Sequence, residues 1–259
     1  MHYELHGLTE SSAPTLVFIS GLGGSANYWK PQLPAFIDQY RVLVYDQLGT
    51  GRSPATLSDQ YSIQDMANEL KELLESLTIQ CCHIIGHALG GLVALHIAQT
   101  NPELLDSIVL VNAWSQINPH TERCFSIRKA ILDNCSKEDY LHMQALLLYP
   151  PDWIASNVEL LKEEEQHWLS NFPDKSNLLA RINALSEFDI ESELHSIHVN
   201  SLIIANKDDT LVPWQRSEIL AEHLPQSTFT LMDYGGHACT VTEPKKFNQI
   251  LITHLNHNL

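Results

Sequence analysis

The chain has 259 residues, 44% of them hydrophobic, and carries 31 acidic against 15 basic residues for a formal charge of −16. Such a chain can bury a sizeable core, as one large α/β domain or two small ones. The negative balance argues against nucleic acid and anionic membrane surfaces as partners, because binding there needs cations to neutralise phosphate.

In chain order, Tyr3-Glu4-Leu5-His6 alternates like an edge strand. Thr15-Leu16-Val17-Phe18-Ile19 is a continuous apolar run, as expected for a strand covered on both faces. It leads into a Gly-rich loop, Ser20-Gly21-Leu22-Gly23-Gly24. Tyr28, Trp29, Leu33, Phe36 and Ile37 recur at helical spacing. Arg41-Val42-Leu43-Val44-Tyr45-Asp46 reads as the next strand. Ser62 followed by Asp65 resembles a capping start, and Met66, Leu70, Leu73, Leu74 and Leu77 then mark one helical face. A strand at Cys82-His83-Ile84-Ile85 enters Gly86-His87-Ala88-Leu89-Gly90-Gly91, and a helix with an apolar face follows to about Asn101-Pro102. Ser107 to Val111 is another buried strand. This alternation predicts a largely parallel sheet with helices on both faces.

Past Trp114 the rhythm changes. From about Ser115 to Glu193 the patterns are helical: Cys124 to Leu132, Tyr140 to Leu147 and Leu178 to Leu185, with Pro150-Pro151 as a break. Strands return at Ser201 to Ala205 and Thr228 to Met232, and a closing helix spans about Pro244 to His254. The expected organisation is therefore a core of residues 1–114 and 194–259 with a helical cap inserted at 115–193. The five cysteines show no CxxC spacing, which fits free thiols in a reducing cytosol. The start, Met1-His2-Tyr3-Glu4-Leu5, has neither the basic nor the apolar part of a signal peptide, and no apolar run approaches the roughly 20 residues that span a bilayer. A cytoplasmic protein is expected.

Three stretches carry candidate chemistry. A strand, a turn flanked by glycines and a helix form the layout of a nucleophile elbow, in which the middle residue is thrust out above the sheet edge. That residue is serine in the motif and Ala88 here. The Gly-rich loop after the first buried strand is where α/β-hydrolases place half of an oxyanion hole. Leu22 N–H and Leu89 N–H are the expected donors, and Ser20 stands where histidine is frequent. No Gly-Lys-Ser/Thr follows, which excludes a Walker loop. Asp208-Asp209, closed by Val212-Pro213, lies at a late strand exit; the position of Pro213 favours Asp209 as the acid over Asp208. An Asp-rich turn would have the same look. His237, in Tyr234-Gly235-Gly236-His237-Ala238, completes the order elbow, acid, histidine. His87 is expected to line the site. No Cys/His cluster has metal-ligand spacing, and no cofactor motif is present. Arg123, Arg128 and Arg181 are rare cations on an acidic protein, any of which could hold a small anionic substrate; intra-cap ion pairs are the plainer use.

Over nearly its full length the chain resembles the α/β-hydrolase superfamily. More narrowly it resembles the RutD-type proteins of pyrimidine degradation, through Ser20 to Gly24, Tyr45-Asp46-Gln47, Gly86 to Gly90, Cys124-Phe125, Leu148-Tyr149-Pro150, Asp152-Trp153, Asn177-Leu178-Leu179 and Tyr234 to Cys239. Alanine at the elbow looks like a feature of that group. Leu48 departs from the superfamily's frequent Asp-x-Arg-Gly-x-Gly loop. The resemblance implies hydrolysis of carbamate or aminoacrylate in uracil breakdown, with ammonia released. His237, oriented by Asp209, would act on water with no serine and no cofactor. Two alternatives stand beside this: a cofactor-free lyase or oxygenase using the same pair as base, and an inactive binding protein. A homodimer is carried as a candidate assembly.

Overall fold

The apolar runs become the strands of one sheet in the computed structural model, which describes residues 1–10 and 12–256. The last three residues of the second expected core segment lie outside the described residues. Strands β1 (Tyr3–Gly7), β2 (Thr15–Ile19), β3 (Arg41–Tyr45), β4 (Cys82–His87), β5 (Leu105–Val111), β6 (Ser201–Asn206) and β7 (Ser227–Met232) pair in the order β1-β3-β2-β4-β5-β6-β7. Only β1 runs antiparallel to its neighbour. Strands β2, β4 and β6 are buried along their whole length, which is why Thr15 to Ile19 reads as an unbroken apolar run, whereas β1 alternates.

The sheet's two faces have separate apolar layers. Val17, Ile84 and Leu110 pack with Leu70 of α1 (Ile63–Ser76) and Leu92 of α2 (Leu89–Thr100). Phe18, Ile85 and Val109 face the other way, with Trp29 and, from the C-terminal helix, Phe247 and Leu251. Helix α1 opens on a complete capping box: the Ser62 hydroxyl accepts from Asp65 N–H at 3.2 Å, and the Asp65 carboxylate accepts from Ser62 N–H at 2.8 Å.

Between β5 and β6 lie α3 (Pro119–Asn134), α4 (Lys137–Leu148), α5 (Pro151–Ser156), α6 (Val158–Ser170) and α7 (Lys175–Glu187). Pro150 and Pro151 separate α4 from α5, since proline cannot continue the hydrogen-bond ladder. A neck joins the two ends of this segment. Ile190 N–H donates to Ser115 O at 3.1 Å, and the Gln116 amide donates to Asp189 at 2.5 Å. After β6 come α8 (Gln215–His223), α9 (Cys239–Thr242) and α10 (Pro244–Asn256).

One expectation is corrected. The helical spacing from Tyr28 to Ile37 does not produce a helix; Ala26–Trp29 and Leu33–Ala35 are separate 3₁₀ turns. Pro31 and Pro34 lack the N–H groups that a continuous helix would need. Helices α5, α6, α8 and α9 were not individually expected. The fold brings the C-terminal ends of β2, β4, β6 and β7 to one edge of the sheet, the usual place for a site in a parallel sheet.

Candidate active site

Ala88 stands between β4 and α2 at φ +50°, ψ −113°. Such a backbone costs on the order of 1–3 kcal/mol and persists only when its surroundings impose it. Two constraints do so. Ala88 N–H donates to Val111 O at 2.8 Å. Strand and helix also approach so closely that a Cβ on Gly86 would lie 2.3 Å from Gly90 O, and one on Gly90 would lie 2.2 Å from Ile19 O. The elbow geometry is thus complete although its apex carries only a methyl group.

His237 and Asp209 meet beside it. His237 Nδ1 lies 2.7 Å from Asp209 Oδ2, and both side chains are buried. The other carboxylate oxygen accepts from Leu211 and Val212 N–H, each at 2.8 Å. A carboxylate so fixed can only accept, so the imidazole proton sits on Nδ1 and Nε2 is left as a base. Asp208 serves the loop instead. Its carboxylate accepts from Gly235 N–H at 3.0 Å and Gly236 N–H at 2.9 Å. The His237 carbonyl accepts from Asn112 Nδ2 at 2.7 Å and from His87 Nε2 at 2.8 Å. Because a carbonyl cannot donate, His87 carries its proton on Nε2. Burial, and then the neighbouring His237, pull the His87 imidazole down to about 3, so it is neutral at ordinary pH.

Leu22 and Leu89 N–H, the expected oxyanion donors, have no hydrogen-bond partner among the described residues. Leu89 opens α2, so the positive end of that helix adds to its N–H. The loop that carries Leu22 is clamped from α7. Arg181 Nε donates to Leu22 O at 3.2 Å, and its Nη2 donates to Gly21 O at 3.4 Å and to Gln47 Oε1 at 2.5 Å. Gln47 in turn donates to Ser20 O at 2.7 Å.

A cavity of about 110 Å³ joins these parts. One end is formed by Ser20, Leu22, His87, Ala88, Leu89 and His237; the other, on the segment between β5 and β6, includes Phe125, Arg128, Gln144, Tyr149, Glu164 and Trp168. Tyr149 OH donates to Glu164 at 3.2 Å. Burial pushes the Glu164 carboxyl above its usual range.

Ser20, Leu22, His87, Ala88, Leu89, Arg128 and His237 therefore share one cavity, and Asp209 touches it through His237. The other two candidate arginines do not line it. Arg123 is turned away and donates to Pro119 O, one turn back on its own helix, at 2.8 Å. Arg181 is fully buried outside the cavity lining, and its Nε and Nη2 bond to loop carbonyls and Gln47 while its Nη1 has no partner among the described residues, so it braces the loop. Glu164 was missed because it sits in the run Glu163-Glu164-Glu165, which reads as a solvated helix face. Gln47 had only its place after the β3 exit to mark it.

Residues 14–134 match the alpha/beta hydrolase fold family. A protein of Stutzerimonas stutzeri (strain A1501) named "Putative carbamate hydrolase RutD" is 56% identical over 255 residues, covering 98% of this chain and 96% of the relative. One of the same name from Agrobacterium fabrum (strain C58) is 44% identical, covering 98% of each chain. Among solved structures, the enol-lactonase from Burkholderia xenovorans LB400 superposes with a TM-score of 0.90 at 21% identity, over 98% of this chain and 96% of that one. A hydrolase from Pseudomonas aeruginosa PA01 gives 0.88 at 22% identity, over 98% and 93%. At these identities the two structures speak to the fold alone.

Proposed function

Because the chain belongs to the RutD family of α/β-hydrolases, we propose that it hydrolyses the C–N bond of a small anion, carbamate or aminoacrylate, in uracil breakdown. The observation that carries this reading is the His237–Asp209 pair at 2.7 Å, beside an elbow whose apex has no nucleophile. His237 Nε2 takes a proton from water above the Ala88 methyl, and Asp209 stabilises the imidazolium that forms. Water attacks the carbon that bears nitrogen. With carbamate, the charge that develops on oxygen is met by Leu22 and Leu89 N–H. The imidazolium then returns its proton to the leaving nitrogen. Carbamate and water give ammonia and bicarbonate; aminoacrylate and water give ammonia and an oxo acid.

General-base assistance contributes roughly 10²–10⁴-fold, and one oxyanion donor about 10²–10³-fold. Neither needs a serine. In this reading residues 115–193 act as a cap that shields the reacting carbon from bulk water. The test is enzymatic ammonia release above the spontaneous rate with either substrate, His237→Ala assayed beside the natural protein. Loss of at least about 10²-fold in the variant is expected. Equal rates with and without His237 would remove the reading.

A further inference from the structure

Arg128 is the one arginine or lysine lining the cavity among the described residues. It projects from α3 and is 3% exposed. It forms no salt bridge among the described residues, although Glu164 and Glu165 line the same cavity. Those two are otherwise engaged: Glu164 accepts from Tyr149 OH, and Glu165 lies 3.8 Å from His142. What Arg128 has is neutral company. Its Nη2 donates to Gln144 Oε1 at 2.9 Å, its Nε has no partner, and its guanidinium lies 5.6 Å from the Tyr140 ring centre and 5.8 Å from that of Phe125.

A buried cation with no counter-charge is costly, and two aromatic faces offset only part of that cost. Arg181 provides the contrast within the same molecule. It is buried too and its Nη1 has no partner among the described residues, but its Nε and Nη2 are taken up by carbonyls and Gln47 and it does not line the cavity. Arg128 instead lines the cavity with its Nε unpartnered, and its guanidinium is the planar fork that matches a carboxylate.

We propose that Arg128 is the specificity-determining carboxylate anchor of this cavity, and that the site takes short monocarboxylates. This rests on the reading of a small anionic substrate at that site. The anchor holds the carboxylate end against α3 and so sets which carbon reaches the water activated by His237. Glu165 on the same wall repels a second carboxylate, so dicarboxylates are disfavoured.

The test uses inert probes, so it does not depend on turnover. Propionate, its neutral isostere propionamide, and the dicarboxylate malonate are titrated against the natural protein by calorimetry and thermal shift, and against Arg128→Gln and Arg128→Lys. Propionate is expected to bind at least roughly 30-fold more tightly than propionamide or malonate. Arg128→Gln should lose that preference, and Arg128→Lys, which keeps charge without the fork, should retain only part of it. The comparison of probes on the natural protein decides the matter even if Arg128→Gln does not fold. Equal binding of propionate and propionamide, no binding of propionate, or undiminished preference in a folded Arg128→Gln protein would overturn the proposal. Failed hydrolysis with intact propionate selectivity would overturn the proposed reaction and leave the anchor standing.

Discussion

At the core end of the cavity the functional groups are held by main chain, and at the cap end by helix side chains. The elbow is forced by Val111 O and by close glycine packing; Asp209 is fixed by two backbone N–H groups; the His237 loop is gripped through its own carbonyl. Arg128, Gln144, Tyr149 and Glu164 instead project from α3, α4 and α6 or follow them, and they contact one another through side chains. In the proposed mechanism, strand ends supply rigid positions for bond-breaking, and the α3–α7 segment supplies groups that recognise a substrate and can change without disturbing the sheet.

The comparison breaks most visibly at the two aspartates. Asp209→Asn should lower turnover by about 10²–10⁴-fold, as loss of the base itself would, because an amide cannot hold the imidazole in its working tautomer. Asp208→Asn only loosens the Gly235–Gly236 loop and should cost roughly 10-fold to 100-fold. Steady-state kinetics on the pair check this, and similar losses would show that the two carboxylates act alike. Next is Arg181, where cap and core meet. Arg181→Leu leaves Gly21 O, Leu22 O and the Gln47 amide without their donor and should destabilise the fold by about 3 kcal/mol in denaturant titrations. A change under about 0.5 kcal/mol would mean that the clamp carries no weight.

The third effect sharpens the contrast between two neighbouring histidines. His87 in the folded protein is pulled from its ordinary 6.5 down to about 3. The unfolded chain therefore takes up this proton first as pH falls. The corresponding stability is present above about 6.5 and is lost progressively toward pH 3. Between about pH 6.5 and 5 the loss is about 2 kcal/mol. Replacement by asparagine, whose amide can still donate to the His237 carbonyl, should flatten that part of the acid limb. Parallel stability curves for the natural and His87→Asn proteins would contradict the assignment.

The core was legible because its rules are local. The continuous apolar run gave β2, the short apolar stretches Ile84-Ile85 and Leu202 to Ala205 marked β4 and β6, and Ser62 with Asp65 marked the start of α1. Glycines around Ala88 announced a turn packed so closely that a Cβ on Gly86 or Gly90 would come within 2.2–2.3 Å of a backbone oxygen. The choice of Asp209 over Asp208 as the partner of His237 followed from Pro213. The cap was legible only as helical. Which arginine faces the cavity depends on how α3 and α7 pack, and neither Arg123, Arg128 nor Arg181 carries a local mark of that. The Tyr28 to Ile37 spacing misled because its periodicity is helical while Pro31 and Pro34 within it forbid the helix.

Direct attack by water, at an elbow with no nucleophile, is the step on which the mechanism stands. A fluorophosphonate that reacts with activated serines tests it on the intact protein, with adducts located by peptide mass spectrometry. Ala88→Ser serves as the control that the reagent enters the cavity, since it restores a hydroxyl beside His237. The mechanism predicts stoichiometric labelling of the introduced serine in that variant and no labelling of the natural sequence. Stoichiometric labelling of the natural protein, above all at Ser20, whose hydroxyl lies buried and unpartnered in the cavity wall, would contradict it.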